Sequence, residues 1–143
     1  MRLPAARICT FSDGTFRRSS EGEPALIWPV VDCDREMVDL VAWDVDTPSR
    51  WWLFYRDEAV VLGARTLAIS RYFQEPITFH STPQQWLLAG RTGVCVLRWN
   101  VPLHEILEGV PQITCDSPRL KRLLQKALRQ SEPKLTVEAQ HDA

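Results

Sequence analysis

The stretch VDLVAWDVDTPSRWWLFY, residues 38–55, decides the fold of this chain. It contains Trp43, Trp51 and Trp52, three of the six tryptophans, and Pro48 separates two runs rich in apolar, β-branched and aromatic residues. Such runs favour strands, and the Thr-Pro-Ser segment between them favours a tight turn. We therefore expect two paired strands at the centre of a small core.

Strand signals continue on the N-terminal side of this stretch. The Asp-Gly pair at residues 13–14 predicts a hairpin, so residues 1–23 form either a hairpin or a flexible arm. Residues 25–34 predict a strand, and because Pro29 has no amide hydrogen to donate, this strand lies at an edge or carries a bulge. Residues 37–45 have apolar side chains on both faces, which predicts a strand covered at least in part on both sides.

Helix signals dominate the second half of the chain. A helix is predicted over residues 64–73, and its apolar stripe consists of Ala64, Leu67, Ala68 and Tyr72. A shorter helix has Thr82 as its N-cap. The clearest helix is capped by Ser117, and from Leu120 its apolar residues repeat at i, i+3, i+4, i+7 and i+8.

Together these patterns predict an α+β fold. A mainly antiparallel sheet of five or six strands packs against three or four helices, the last of which is the amphipathic C-terminal helix. We expect residues 24–133 to form one domain and residues 134–143 to form a flexible tail.

Composition and cysteine spacing argue against a membrane protein and against a metal or cofactor site. The chain has 143 residues, of which 45% are hydrophobic and 24% charged, and its net charge is −1. It has no apolar run of about 18 residues and no long apolar segment near its N-terminus, so we expect a cytoplasmic protein outside the membrane. The four cysteines are scattered singly and no glycine-rich phosphate loop is present, so we expect no metal and no cofactor.

Charge is unevenly distributed along the chain. Residues 24–46 carry six acids and one base, whereas residues 119–134 carry six bases and one acid. Two acidic pairs stand out, Asp32 with Asp34 and Asp44 with Asp46. Residues i and i+2 of a strand share a face, so each pair resembles a divalent-cation site of a phosphoryl-transfer enzyme. Turn formation explains the same pattern, and the additional Glu or Lys that such sites use is missing.

Aromatic and basic residues suggest two kinds of binding surface. The predicted partner-binding set is Asp32, Asp34, Asp44, Asp46, Arg50, Trp51, Trp52 and Arg56. An exposed tryptophan beside arginine is typical of protein interfaces, and it also suits the stacking of single-stranded bases. The alternative, nucleic-acid-binding set is Arg119, Lys121, Arg122, Lys126 and Arg129 on the C-terminal helix.

Two strings carry a resemblance to a known group of proteins. DLVAWDVDTPSRWWLFYRDEAVVLG and TPQQWLLAGRTGVCVL resemble small uncharacterised accessory proteins of proteobacterial phages and mobile elements, over residues 36–130. The resemblance implies a genetic context and assigns no residue a role. It implies an accessory protein that binds and blocks a host defence complex, or one that assists replication.

The sequence therefore favours a binding protein over an enzyme. We expect non-catalytic docking on a protein partner, with the acidic stretch from Asp32 to Asp46 mimicking phosphates toward a basic groove. The first alternative is a nucleic-acid-binding accessory factor. The second is a metal-dependent phosphoryl-transfer enzyme at the acidic pairs. The oligomeric state is left open.

Overall fold

The computed structural model describes residues 5–55, 59–129 and 137, which contain nine strands and four helices. The strands are β1 Ala5–Thr10, β2 Phe16–Arg18, β3 Glu23–Val31, β4 Met37–Asp44, β5 Trp51–Leu53, β6 Val61–Leu62, β7 Ile77–His80, β8 Val94–Val96 and β9 Ile113–Cys115. The helices are α1 Ala64–Phe73, α2 Pro83–Leu88, α3 Leu103–Ile106 and α4 Pro118–Arg129. The α+β class is confirmed. The predicted tail lies outside the described residues, apart from Val137.

The first sheet is antiparallel and has the order β2-β1-β3-β4-β5. The sheet curls, so that its outer strand β5 reaches the turn that leads into the other outer strand, β2. There the amide of Leu53 donates to the carbonyl oxygen of Gly14 at 2.9 Å. Arg17 adds a second link by donating to the carbonyl oxygen of Phe54 at 2.9 Å. The hairpin around Asp13 and Gly14 is thus part of this sheet.

Pro29 lies where β3 has no described pairing partner on the β1 side, just before a bulge. β3 lies between β1 and β4, and its described pairing with β1 reaches only to Leu26, so Pro29 lies beyond it. The register with β4 shifts between Val30 and Val31, one residue after the proline. Both predicted features are therefore observed, a locally unpaired edge at Pro29 and a bulge beside it.

β4 is buried on both faces, as its sequence predicts. Val41 and Trp43 face the cluster between the two sheets, whereas Ala42 lies in the interior of the curled sheet. Its neighbour β5 follows the same division, because Trp51 packs on the first cluster and Trp52 on the second. The two adjacent tryptophans therefore point to opposite faces, and both faces are covered.

A second sheet has the order β6-β8-β7-β9. β6 runs antiparallel to β8, whereas β7 runs parallel to both β8 and β9. The sequence predicts strands in this region but assigns them to one sheet. Leu67 of α1, Leu103 of α3 and Leu120 and Leu124 of α4 cover this sheet around Phe79.

The predicted helix caps are present. Thr82 accepts a hydrogen bond from the amide of Gln85 at 3.1 Å, and Pro83 is the first residue of α2. Ser117 accepts from the amide of Leu120 at 3.2 Å at the start of α4. Both contacts satisfy amide groups that the first helical turn leaves without a partner.

Candidate functional site

The predicted partner-binding residues do not form one patch. Asp44, Arg50 and Trp52 line a surface cavity of about 290 Å³ beside β1 and β3. The Arg50 guanidinium lies 5.4 Å from the centre of the Trp52 ring, within the range of a cation–π contact. Trp51 belongs to the opposite face of β5, and Arg56 lies outside the described residues.

The acidic pairs lie at opposite ends of β4 and form turns. Oδ1 of Asp32 accepts from the amides of Asp34 and Glu36 at 2.9 and 3.0 Å. Oδ1 of Asp44 accepts from the amides of Asp46 and Thr47 at 2.8 and 3.0 Å. The first aspartate of each pair is therefore a turn residue of the kind that Asp commonly supplies. Because β4 has eight residues and a strand rises about 3.3 Å per residue, one small ligand cannot contact both pairs.

Tryptophan side chains join the two sheets. Trp43 and Trp86 are buried, and the other four tryptophans are half-buried. Nε1 of Trp43 donates to Gln84 of α2 at 3.3 Å, and Nε1 of Trp51 donates to the carbonyl oxygen of Leu97 at 3.1 Å. The predicted exposed anchor at Trp51 or Trp52 is thus at most a partly exposed ring.

The basic residues of the alternative set all lie on one helix. All five cations of the alternative set are exposed on α4, whose twelve residues contain no acid. At the start of the helix, Arg119 lines a cavity of about 320 Å³ together with Trp51 and Trp99. Cationic and aromatic side chains that could contact phosphate and base therefore lie together at this end of α4.

The exposed face of α1 carries large apolar side chains toward its C-terminal end, and the sequence pattern does not predict their exposure. Tyr72 is 82% exposed and Phe73 is 62% exposed, and their rings meet edge-to-face at 4.9 Å. Ile69 is also exposed and precedes them by one helical turn. The predicted assignment of Tyr72 to the same stripe as Leu67 is wrong, because α1 buries Leu67 and Ser70 and turns Tyr72 away from the sheet. The i, i+3, i+4 spacing of the exposed residues was the available signal.

A buried carboxylate holds the segment after β5. Asp39 is 1% exposed, and its Oδ1 accepts from the amides of Leu40, Phe54 and Tyr55 at 2.7, 3.1 and 2.9 Å. Burial raises the pKa of Asp39 above its ordinary value, and the amide hydrogen bonds oppose that shift. In the sequence Asp39 is one of the six acids of residues 24–46, and nothing local distinguishes a buried acid in an alternating strand.

Comparison with protein-family models, with curated proteins and with solved structures finds no match to this chain. Among residues 5–55, 59–129 and 137, no three His, Cys, Asp or Glu side chains lie close enough to share a metal ion. Within the same ranges, no helix has the length and apolarity needed to cross a bilayer. Function is therefore inferred from the surfaces of the chain itself.

Proposed function

We propose that this protein is a non-catalytic binding protein that docks on a protein partner through the exposed apolar face of α1. The observation that carries the proposal is the cluster of Ile69, Tyr72 and Phe73, three large apolar side chains on one helical face in contact with solvent. A helix of ten residues with anchors at i, i+3 and i+4 suits an apolar groove on a partner.

The chemistry of these side chains supports an interface over a merely solvated helix. Aromatic residues are enriched among those that dominate binding energy at protein interfaces. Tyr72 and Phe73 already form an edge-to-face pair, so little side-chain freedom is lost when a partner covers them. When a partner buries these side chains, the free energy of binding would gain roughly 25 cal/mol for each Å² of apolar surface removed from water.

The genetic context and the acidic turns extend this proposal. The resemblance to phage and mobile-element proteins supports an accessory role, with a host defence complex as the partner class. Phosphate mimicry by the acidic turns is a second contact for the same partner, and Asp34 and Asp46 are the residues to neutralise. Neither carboxylate accepts the amide hydrogen bonds that form the turns, so D34N and D46N remove charge and leave both turns intact. Unchanged partner binding by the double variant would remove the mimicry hypothesis.

The experiment is quantitative capture from a proteobacterial lysate. The bait proteins are the wild type, Y72S/F73S and M37S. Met37 is the matched control because it is a large apolar residue, 64% exposed, on β4 of the first sheet. We expect the wild type and M37S to capture the same protein and Y72S/F73S to lose it. Equal capture by all three baits, or loss with M37S alone, contradicts the proposal.

A nucleic-acid-binding role is the second candidate. It is supported by the five exposed cations of α4 together with the cavity in which Arg119 meets Trp51 and Trp99. Lysine and arginine contacts to phosphate release counterions, and a partly exposed tryptophan can stack on a base. In this arrangement α4 follows the backbone of a single strand and Trp99 or Trp51 contacts one base.

A tryptophan-fluorescence titration with short single- and double-stranded DNA and RNA tests this candidate. Binding through α4 predicts quenching that weakens steeply as the salt concentration rises. The slope of the logarithm of the binding constant against the logarithm of salt concentration should be smaller for K121Q/K126Q than for the wild type. The control is R18Q, which removes an exposed arginine from β2 in the other sheet. No quenching at low salt, or the same slope for both variants, rejects the nucleic-acid role.

A further inference from the structure

A cavity of about 530 Å³ opens where the two sheets meet, between β3, the start of α1 and the end of α2. Its apolar side is formed mainly by Trp28, Leu62 and Trp86. Trp86 is held in place because its Nε1 donates to the carbonyl oxygen of Gly93 at 3.1 Å. The volume lies within the range typical of sites for small molecules.

Three arginines from three separate parts of the fold line this cavity. Arg35 comes from the turn between β3 and β4, Arg65 from the first turn of α1, and Arg91 from the segment after α2. Within the part of the chain that the structure describes, none of the three guanidinium groups forms an ion pair. The Arg91 guanidinium lies 5.9 Å from the centre of the Trp28 ring. Unpaired cations and aromatic rings thus share one cavity.

The charge balance of the cavity is positive. Asp32 is the one acid that lines it, and its Oδ1 is already hydrogen-bonded to two amides of its own turn. The start of α1 adds to the positive potential, because Gly63 supplies no capping side chain and the first turn contains no acid. An anion entering this cavity therefore meets three formal positive charges against one negative charge.

Two of these arginines occupy backbone positions that do not favour a side chain. Arg35 has φ +66° and Arg91 has φ +62°, both in the left-handed region, where Gly and Asn are the usual residues. The substitutions R35N and R91N therefore remove the charge without adding backbone strain. If such a variant loses ligand binding, the loss can therefore be assigned to the missing charge and not to misfolding.

We propose that this cavity binds a nucleoside phosphate, with the phosphate among Arg35, Arg65 and Arg91 and the base on Trp28 and the apolar side. Arginine binds phosphate oxygens through paired hydrogen bonds, and indole rings stack on planar bases. The ligand class follows from this combination, since phosphate alone leaves the tryptophans uncovered and a neutral aromatic ring leaves the arginines unused. The site differs from a glycine-rich phosphate loop, which the sequence lacks.

Isothermal titration calorimetry with the full chain tests the proposal. The probes are the four ribonucleoside monophosphates, ribose 5-phosphate, adenosine, inorganic phosphate, and a short oligonucleotide with and without a 5′ phosphate. The variants are R91N and R65Q, with R18Q on β2 as the control, because Arg18 is an exposed arginine outside this cavity. Thermal unfolding of each variant shows that it is folded.

We expect at least one mononucleotide to bind more tightly than ribose 5-phosphate, adenosine or inorganic phosphate. We expect R91N and R65Q to weaken its affinity roughly ten- to hundredfold, the usual effect of losing a hydrogen bond to a charged group. R18Q leaves the affinity unchanged. If free mononucleotides are silent but the oligonucleotide binds only with its 5′ phosphate, the ligand is a strand end. Silence of all probes, equal binding of inorganic phosphate or adenosine, or an equal loss with R18Q overturns the proposal.

Discussion

Nε1 of Trp51 donates a hydrogen bond to the carbonyl oxygen of Leu97 at 3.1 Å, and this contact joins the edge of the first sheet to the second. Trp51 belongs to β5, whereas Leu97 directly follows β8 and is buried. Trp51, which belongs to the predicted partner-binding set, therefore forms a contact that holds the two sheets together.

The stability of the chain should depend on this contact. Replacement by phenylalanine keeps an aromatic ring but leaves the buried Leu97 carbonyl without its donor. We expect W51F to lower the free energy of unfolding by about 1–2 kcal/mol more than W52F, measured by urea denaturation. W52F is the control because Trp52 is also half-buried and packs its ring against Arg50. If both variants lose the same unfolding free energy, the loss comes from the smaller ring and not from the missing hydrogen bond.

The pH dependence of stability should carry the signature of Asp39. Burial raises its folded-state pKa above the ordinary value of 3.8, so the folded chain holds this proton more tightly than the unfolded chain does. The stabilising contribution is complete below pH 3.8 and is lost as the pH rises through the folded-state pKa. We expect the difference in unfolding free energy, wild type minus D39N, to fall over this interval. If this free-energy difference stays constant or rises with pH, the pKa of Asp39 is not raised in the folded chain.

The amide contacts of Asp39 give a separate prediction. Asn keeps an oxygen that can accept from the amides of Leu40, Phe54 and Tyr55. Ala removes this acceptor from all three amides, and of the three Phe54 has a second acceptor, the carbonyl oxygen of Leu40 at 2.9 Å. We expect D39A to be about 2–3 kcal/mol less stable than D39N at neutral pH, measured by urea denaturation. Equal stability of the two variants would show that these hydrogen bonds do not hold the segment after β5.

A close backbone approach makes Gly63 irreplaceable. A Cβ at this position would lie 2.1 Å from the carbonyl oxygen of Gly93, and the residue has φ +89°. We expect G63A to lower the melting temperature much more than G90A does. Gly90 is the matched control, with φ +78° and no atom within 4 Å of the added Cβ. Its substitution costs only the left-handed backbone conformation, about 1–2 kcal/mol. Similar melting temperatures for the two variants would contradict the packing at Gly63.

Local signals predict much of this fold. Pro48 marks the turn between β4 and β5, Thr82 and Ser117 cap their helices, and the leucines of α4 follow a strict helical period. These features are predictable because each depends on residues close in the sequence. The turn-forming role of Asp32 and Asp44 is local in the same way and was one of the two predicted interpretations.

The second sheet and the exposed surfaces depend on distant residues. β6 has two residues and β9 three, and β7 pairs in parallel with strands that follow it only after intervening helices. No local pattern specifies such pairing. The same reason explains the error at Tyr72. Apolar residues surround much of α1, and only the packing against the sheet decides that Leu67 is buried and Tyr72 exposed.

The most direct test of the proposed function is site-specific photo-crosslinking in proteobacterial cells. The photoreactive residue p-benzoylphenylalanine replaces either Tyr72 or Phe11, an exposed aromatic residue that follows β1 in the first sheet. We predict a discrete higher-mass adduct with one protein from position 72 and none from position 11. No adduct from position 72, or an adduct from position 11 alone, would contradict docking through the apolar face of α1.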